Sequence, residues 1–408
     1  MLRAGFAKVE LTPREPVHLA GYFTLRPRMS TAVRDPLFVR ALALEDGSTR
    51  AVVLVFDTLV VTEAMGRALR EALASDAAQV MAIATHTHSA PGGYWEPLAA
   101  RLAMGPFVEG RREQLVEAGV TAARKALGDL QPAKWSVHTA QAPQAAVNRR
   151  NALLPADGHV WSLLLARERD AGILCGASAH PVVVAERGYH LISADFPGTV
   201  TTALEQRVAF AAFVNGSLAG GGTVLPPGTV DDALRAQAQP IVDQVLPVLS
   251  ALGRAEGPLQ FVQRELELPS TPAPRAAFDD QPISRVLTAP LDRVARKLFS
   301  ESLPKTATLQ ALRVGEAALV ALPAEPGFDL ALALRESARE EGFGATFVAA
   351  HANGYLGYVL RRDGYRQAPA AATWTMASYE NIMNVYGPEF GERLLVEGRR
   401  LLHDLGRA

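Results

Sequence analysis

The chain has 408 residues, 49% of them hydrophobic and 20% charged, with 41 lysines and arginines against 42 aspartates and glutamates. That composition excludes a disordered chain and a membrane bundle, and the formal net charge of −1 gives no electrostatic reason to expect a nucleic-acid partner. The length admits two domains or one large one, and no apolar run reaches the ~18 residues that a membrane-spanning helix requires.

The opening residues Met1 to Phe6 lack the basic and apolar regions of a secretory signal, and Cys175, the single cysteine, allows no internal disulfide. A cytoplasmic protein is therefore expected. The run Ala51 to Phe56 predicts a buried strand ending at Asp57, followed by a helix through Glu63, Met65, Leu69 and Leu73. A second strand, Val80 to Ala84, runs into His86, giving a βαβ unit with parallel pairing. Apolar periodicity then predicts a helix from Arg111 to Ala126. Val160–Leu165 and Ile173–Ala177 flank the turn signal Asp170-Ala171-Gly172 and read as a hairpin with His180 just past its second strand.

Further helices are predicted over Thr199–Val208, Val230–Leu252, Gly327–Glu340 and Pro388–Leu405. Strands at Phe210–Val214, Ala317–Leu322 and Ala345–Ala350 lead into Asn215-Gly216, Pro323-Ala324-Glu325 and His351-Ala352-Asn353. From Leu266 to Lys305 the pattern is weakly periodic and proline-containing, which predicts a surface excursion or a lid. No internal repeat stands out. The expected fold class is α/β, with mixed β-sheets flanked by helices.

Thr85-His86-Thr87-His88-Ser89-Ala90-Pro91-Gly92-Gly93 carries the most chemistry, because histidines two apart at a strand end face one side and can share a site. Alone, it reads equally as a polar loop with two solvated histidines. His180 before Pro181, His190 ahead of Asp195, and Glu325 between prolines repeat the theme of imidazole or carboxylate at strand ends. Zinc takes such nitrogen and oxygen donors from distant segments. Singly, His180 also fits a core histidine, and Glu325 a carboxylate at a helix start.

Taken in order, these segments resemble the catalytic domain of the neutral/alkaline, non-lysosomal ceramidases, zinc-dependent amidases of ceramide. The similar stretches are Ala4 to Pro13, Leu19 to Tyr22, Asp35 to Leu42, Thr85 to Gly93, Asn148-Arg149, Ala179-His180-Pro181, Ile192 to Asp195, Pro323-Ala324-Glu325, Asn353 to Tyr358, and Tyr379-Glu380 with Tyr386-Gly387-Pro388. The resemblance implies a Zn²⁺ held by His86, His180, Glu325 and Tyr358, with His88 as acid/base and Arg149 and Tyr379 directed at the scissile carbonyl. It implies attack of zinc-bound water on an N-acyl amide, with no covalent acyl-enzyme, in one catalytic domain spanning 1–408. On residue type alone, Arg149 also fits a surface arginine beside Arg150, and Tyr379 a core or interface aromatic.

Three features depart from the family. The loop that elsewhere carries Gly-Asp-x-Ser-Pro reads Ala219-Gly220-Gly221-Gly222-Thr223-Val224-Leu225-Pro226, leaving Thr223 nearest to the serine's place, with Ser217 second. An alanine-rich stretch, Ala368 to Ala377, precedes Tyr379. The chain ends at Ala408, so no C-terminal β-sandwich domain is expected. The expected partner is a small or lipid-like N-acyl substrate. Two other activities fit the same residues: a zinc esterase or acyltransferase acting on a small non-ceramide substrate, or an inactive metal- or ligand-binding homologue.

Overall fold

A computed structural model describes residues 1–22, 28–151, 153–270, 304–366, 380 and 383–407. Three sheets dominate these residues, and each is assembled in the same way. In the first, β1 (Arg3–Glu10), β2 (Phe38–Glu45) and β3 (Arg50–Phe56) form an antiparallel meander. Helix α1 (Glu63–Ala72) then crosses over to β4 (Gln79–Ala84), which pairs parallel with β3 from Ala51↔Gln79 to Phe56↔Ala84. After α2 (Leu98–Met104), helix α3 (Arg111–Gly128) returns beside α1.

The second sheet repeats that path with β5 (Lys134–Gln141), β6 (His159–Ala166) and β7 (Ala171–Ala177), then α4 (Asp195–Leu204), the parallel strand β8 (Phe210–Asn215) and α5 (Val230–Val245). The third uses β9 (Leu259–Glu267), β10 (Thr306–Val314), β11 (Ala317–Ala321), α6 (Phe328–Glu340), β12 (Ala345–Ala349) and α7 (Phe390–Arg407). All three therefore share the connectivity β-β-β-α-β-α and the strand order fourth, third, second, first. The repeat is one of connectivity, which the sequence does not display as repeated residues. The units share hydrophobic pattern and connectivity, whereas a sequence repeat is recognised by residue identity.

The third and fourth strands of each unit read as nearly continuous apolar runs because both of their faces are covered, whereas the first strands, β1, β5 and β9, are partly exposed and mix in polar residues. Inner-face residues from the three sheets, among them Val53, Ile83, Trp161, Leu174, Leu319 and Phe347, meet in one central cluster. On the outer faces, Leu54 and Phe56 pack against α1 and α3, Phe213 against α4 and α5, and Val320 and Val348 against α6 and α7.

Boundaries moved in two places. The helix expected over Thr199–Val208 starts at Asp195 and ends at Leu204, since Asp195 accepts from Phe196 N at 2.8 Å and holds the first turn. The helix expected to Leu252 is α-helical only to Val245 and continues as a 3₁₀ turn over Leu246–Ser250, with Pro247 unable to donate. The predicted excursion lies outside the described residues from 271 to 303, as do the stretch 368–377 and Tyr379.

Candidate metal centre

In each unit the third and fourth strands run parallel, and the crevice beyond their carboxyl ends is where α/β sheets collect ligands. His86 stands two residues after β4, His180 three after β7, Glu325 four after β11, and His351 two after β12. Asn215, the last residue of β8, ties these ends together. Its side chain donates to the carbonyls of Ala179 (2.9 Å) and Thr85 (3.2 Å), and its own carbonyl accepts from Ala350 N at 2.8 Å.

Hydrogen bonds fix which ring nitrogen of two histidines is free. His86 Nδ1 lies 2.8 Å from the Leu59 carbonyl, and His180 Nδ1 lies 2.8 Å from the Gly221 carbonyl. A carbonyl can only accept, so each Nδ1 carries the proton and each Nε2 presents a bare lone pair. The His86 Nε2 faces His88 Nε2 at 3.2 Å and Glu325 Oε2 at 3.7 Å, while His180 Nε2 stands 3.1 Å from the same carboxylate oxygen. Glu325 Oε1 accepts from the Tyr355 hydroxyl at 2.7 Å, and Oε2 has no hydrogen-bond partner. Tyr358 places its hydroxyl 3.4 Å from His180 Nε2.

The Nε2 lone pairs of His86 and His180 and the Glu325 carboxylate thus converge in a buried cluster. Burial pushes the His86 imidazole down to about 4 and holds His88 and His180 well below the usual range, keeping all three neutral at pH 7. Burial also pushes the Glu325 carboxyl up, although the nearby His86 and the hydroxyl of Tyr355 oppose it. Three buried ligand atoms, one from each of two histidines and one from a carboxylate, so close together are a donor set suited to a divalent metal. The carbonyls that hold the two imidazoles supply the outer hydrogen bonds that orient metal-ligating histidines.

Thr223 donates its hydroxyl to the His180 carbonyl, and Ser217 donates to Asp157 Oδ2 at 2.6 Å, so each hydroxyl is engaged with the protein. Arg149 reaches the Tyr358 hydroxyl at 3.4 Å and bonds Glu380 through Nε at 2.8 Å. Glu380 is fully buried and also accepts from Arg150 and from Gly220 N at 3.0 Å, joining the glycine-rich loop to the chain beyond Tyr379. His190 lies outside the cluster, bonded to the Met29 carbonyl at 2.7 Å.

The ring of His88 packs beside Gly21 and edge-on to Tyr22. A Cβ on Gly21 would stand 2.4 Å from His88 Nδ1, and its φ of +110° also favours glycine. His86, His88, Glu325 and Tyr358 line a cavity whose other walls include Val60, Trp95, Met104, Leu356, Met383 and Val385. An apolar pocket ending in a few convergent polar groups can hold an apolar group with its reactive bond against the cluster.

Asn215, Glu380 and His351 stand in segments that the sequence picks out, but it assigns none of them a role. Only His351 carries a usable signal, because it stands two residues past its strand, as His86 does.

The profile described as neutral/alkaline non-lysosomal ceramidase, N-terminal, matches residues 3–215, more than half of the chain. No curated protein matches it. The chain is similar to the crystal structure of neutral ceramidase from Pseudomonas aeruginosa, with TM-score 0.81 and 20% identity over 100% of this chain and 74% of that one. It is also similar to a structure described as ceramidase complexed with C2, with TM-score 0.77 and 19% identity over 99% of this chain and 74% of that one. At these identities the two likenesses establish a shared fold.

Proposed function

Because the chain belongs to the neutral/alkaline non-lysosomal ceramidase family, we propose that it is a zinc-dependent hydrolase of N-acyl amides. Its substrate carries an apolar acyl group. The observation that carries this reading is the buried set His86 Nε2, His180 Nε2 and Glu325 Oε2, two of whose residues, His86 and Glu325, line a mostly apolar cavity.

His86, His180, Glu325 and Tyr358 hold the cation in this reading. When bound, zinc polarises a carbonyl oxygen and lowers the pKa of a coordinated water to about 7. The apolar walls take the acyl chain and exclude bulk water, which strengthens charge interactions at the amide. Arg149, kept in place by Glu380, offers positive charge beside Tyr358 where oxyanion character develops, and Tyr379 is assigned the same task. His88, neutral and partly open to the cavity, accepts a proton from the attacking water and delivers it to the leaving nitrogen. The products are a carboxylic acid and an amine. Thr223, bonded to the His180 carbonyl, steadies that ligand's backbone.

Elemental analysis of the purified protein is expected to give about one zinc per chain. N-acyl amines are expected to be hydrolysed by wild type and not by His86→Ala. Turnover of aryl esters without amides would replace amidase by esterase, and diversion of product by added amine would show acyl transfer. A metal-free protein that cannot be reconstituted would sink the reading.

A further inference from the structure

The rings of His86 and His180 are fixed by hydrogen bonds at Nδ1, whereas His88 has its Nδ1 buried with no hydrogen-bond partner. Its aim is therefore set by its backbone and by what its ring leans on. Both backbone groups of His88 are engaged, the N–H donating to the Pro181 carbonyl at 3.1 Å and the carbonyl accepting from Arg28 Nη1 at 2.6 Å. The ring packs on Gly21 and edge-on to Tyr22, with centroids 5.3 Å apart at 74°. Arg28 fixes that wall as well. The same Nη1 donates to the Ala20 carbonyl at 3.0 Å, and the guanidinium lies over the Tyr22 ring at 5.1 Å and the Tyr189 ring at 4.6 Å. Its Nε donates to the Tyr189 carbonyl at 2.7 Å, while the Tyr22 hydroxyl donates to Glu186. Only 3% of Arg28 is exposed, and charge-assisted bonds made away from water are strong and exacting in geometry.

We propose that Arg28 is a positioning residue for His88, gripping the Ala20–Tyr22 wall and the His88 carbonyl together so that the imidazole keeps its aim at the reacting amide. The inference rests on the hydrolase reading above, in which His88 moves the proton. Among the described residues, none of the hydrogen bonds of Arg28 goes to His86, His180, Glu325 or Tyr358, so removing it leaves the metal donors in place. Proton transfer by a placed side chain is worth roughly 10²–10⁴-fold, and a misplacement of about 1 Å can cost on the order of 10²-fold. Arginine suits this task better than lysine. Its planar fork reaches the Tyr189 carbonyl through Nε while Nη1 bridges two more carbonyls and the plane lies against two rings, whereas an ammonium is a point charge.

The test is a double-mutant cycle on the zinc-loaded full chain, with N-lauroyl ethanolamine as substrate. Arg28→Met is expected to lower kcat by roughly tenfold to a hundredfold, with KM within about twofold and zinc still about one per chain. In the His88→Ala background the same substitution is expected to lower the residual kcat by less than about twofold, because the group it positions is gone. Arg28→Lys is expected to recover part of the lost kcat when His88 is present. An unchanged kcat in folded Arg28→Met overturns the proposal, as does an equal loss in both backgrounds, which an arginine with a merely structural role would give. Loss of zinc from Arg28→Met also overturns it, since Arg28 would then support the metal centre. If Arg28→Met does not fold, the cycle is run with Arg28→Lys: a kcat loss present with His88 and absent without it sustains the proposal, and any other result overturns it. No turnover by the zinc-loaded wild type overturns the hydrolase reading, and wild-type kcat in His88→Ala overturns the proton role of His88. The inference falls with either, and both are read without altering Arg28, so they are distinguishable from its own failure.

Discussion

His86 adopts φ +66°, a left-handed conformation that costs a residue bearing a side chain on the order of 1–3 kcal/mol. It is held there by its N–H to Thr58 at 3.0 Å and its Nδ1 at the Leu59 carbonyl. The strain is offset by neighbours, and Asn215 is the most exacting of them. Its side chain serves three backbone groups of two histidine-bearing loops: Thr85 O, Ala179 O and Ala179 N. Asn215→Ala would leave those buried groups unpaired. It is expected to lower unfolding stability by about 2–4 kcal/mol in urea titration. Zinc affinity is also expected to weaken by roughly tenfold or more, because His86 and His180 lose their common tether.

Among the elements, the last helix sets the position of the short strand that carries Tyr358. A Cβ on Gly391 of α7 would stand 2.0 Å from the Leu360 carbonyl, two residues after Tyr358. The short strand Tyr358–Val359 pairs with Glu325–Pro326 in register, Glu325 opposite Tyr358. Gly391→Ala is therefore expected to push that strand and weaken zinc binding in a chelator competition, with most of the helix retained by circular dichroism. Helix α6 is anchored by Arg335, whose two terminal nitrogens bond Asp157 at 3.0 and 3.1 Å. Burial pushes the Asp157 carboxyl up, but Arg335 and Ser217 outweigh it and hold the group below its ordinary range. A carboxyl with a depressed folded pKa adds stability above its unfolded value of about 3.9 and loses it as pH falls through the folded value. Arg335→Met strands the buried carboxylate and is expected to cost about 3–5 kcal/mol at pH 7. Urea unfolding at several pH values should show that cost shrinking below about pH 4, where the unfolded chain already protonates.

At the scale of the whole molecule, three β-β-β-α-β-α units share one core, and Phe347 sits where two of them meet. Its ring stacks 6.1 Å from Trp161, and Cβ atoms on Gly176 or Gly216 would come within 2.6 or 2.9 Å of it. Phe347→Ala is expected to cost about 3–5 kcal/mol by denaturant unfolding, through lost transfer energy and the cavity left behind. Much of the secondary structure was legible in sequence. Val52 to Phe56 and Val80 to Ala84 are apolar along their length because both faces are buried, and Arg111 to Ala126 carries a helical apolar stripe. The Thr-His-Thr-His segment and the family likeness also marked His86, His88, His180, Glu325 and Tyr358. The sequence by itself determined which residue types stand at strand ends, since that follows from local pattern. Tertiary structure alone decided how those ends meet: the threefold reuse of one connectivity, the Asn215 tether, the engagement of Arg149 by Glu380, and the stacking of His351 on His86. Those relations join segments far apart in the chain, and no local periodicity encodes the distance between two loops that only packing brings together.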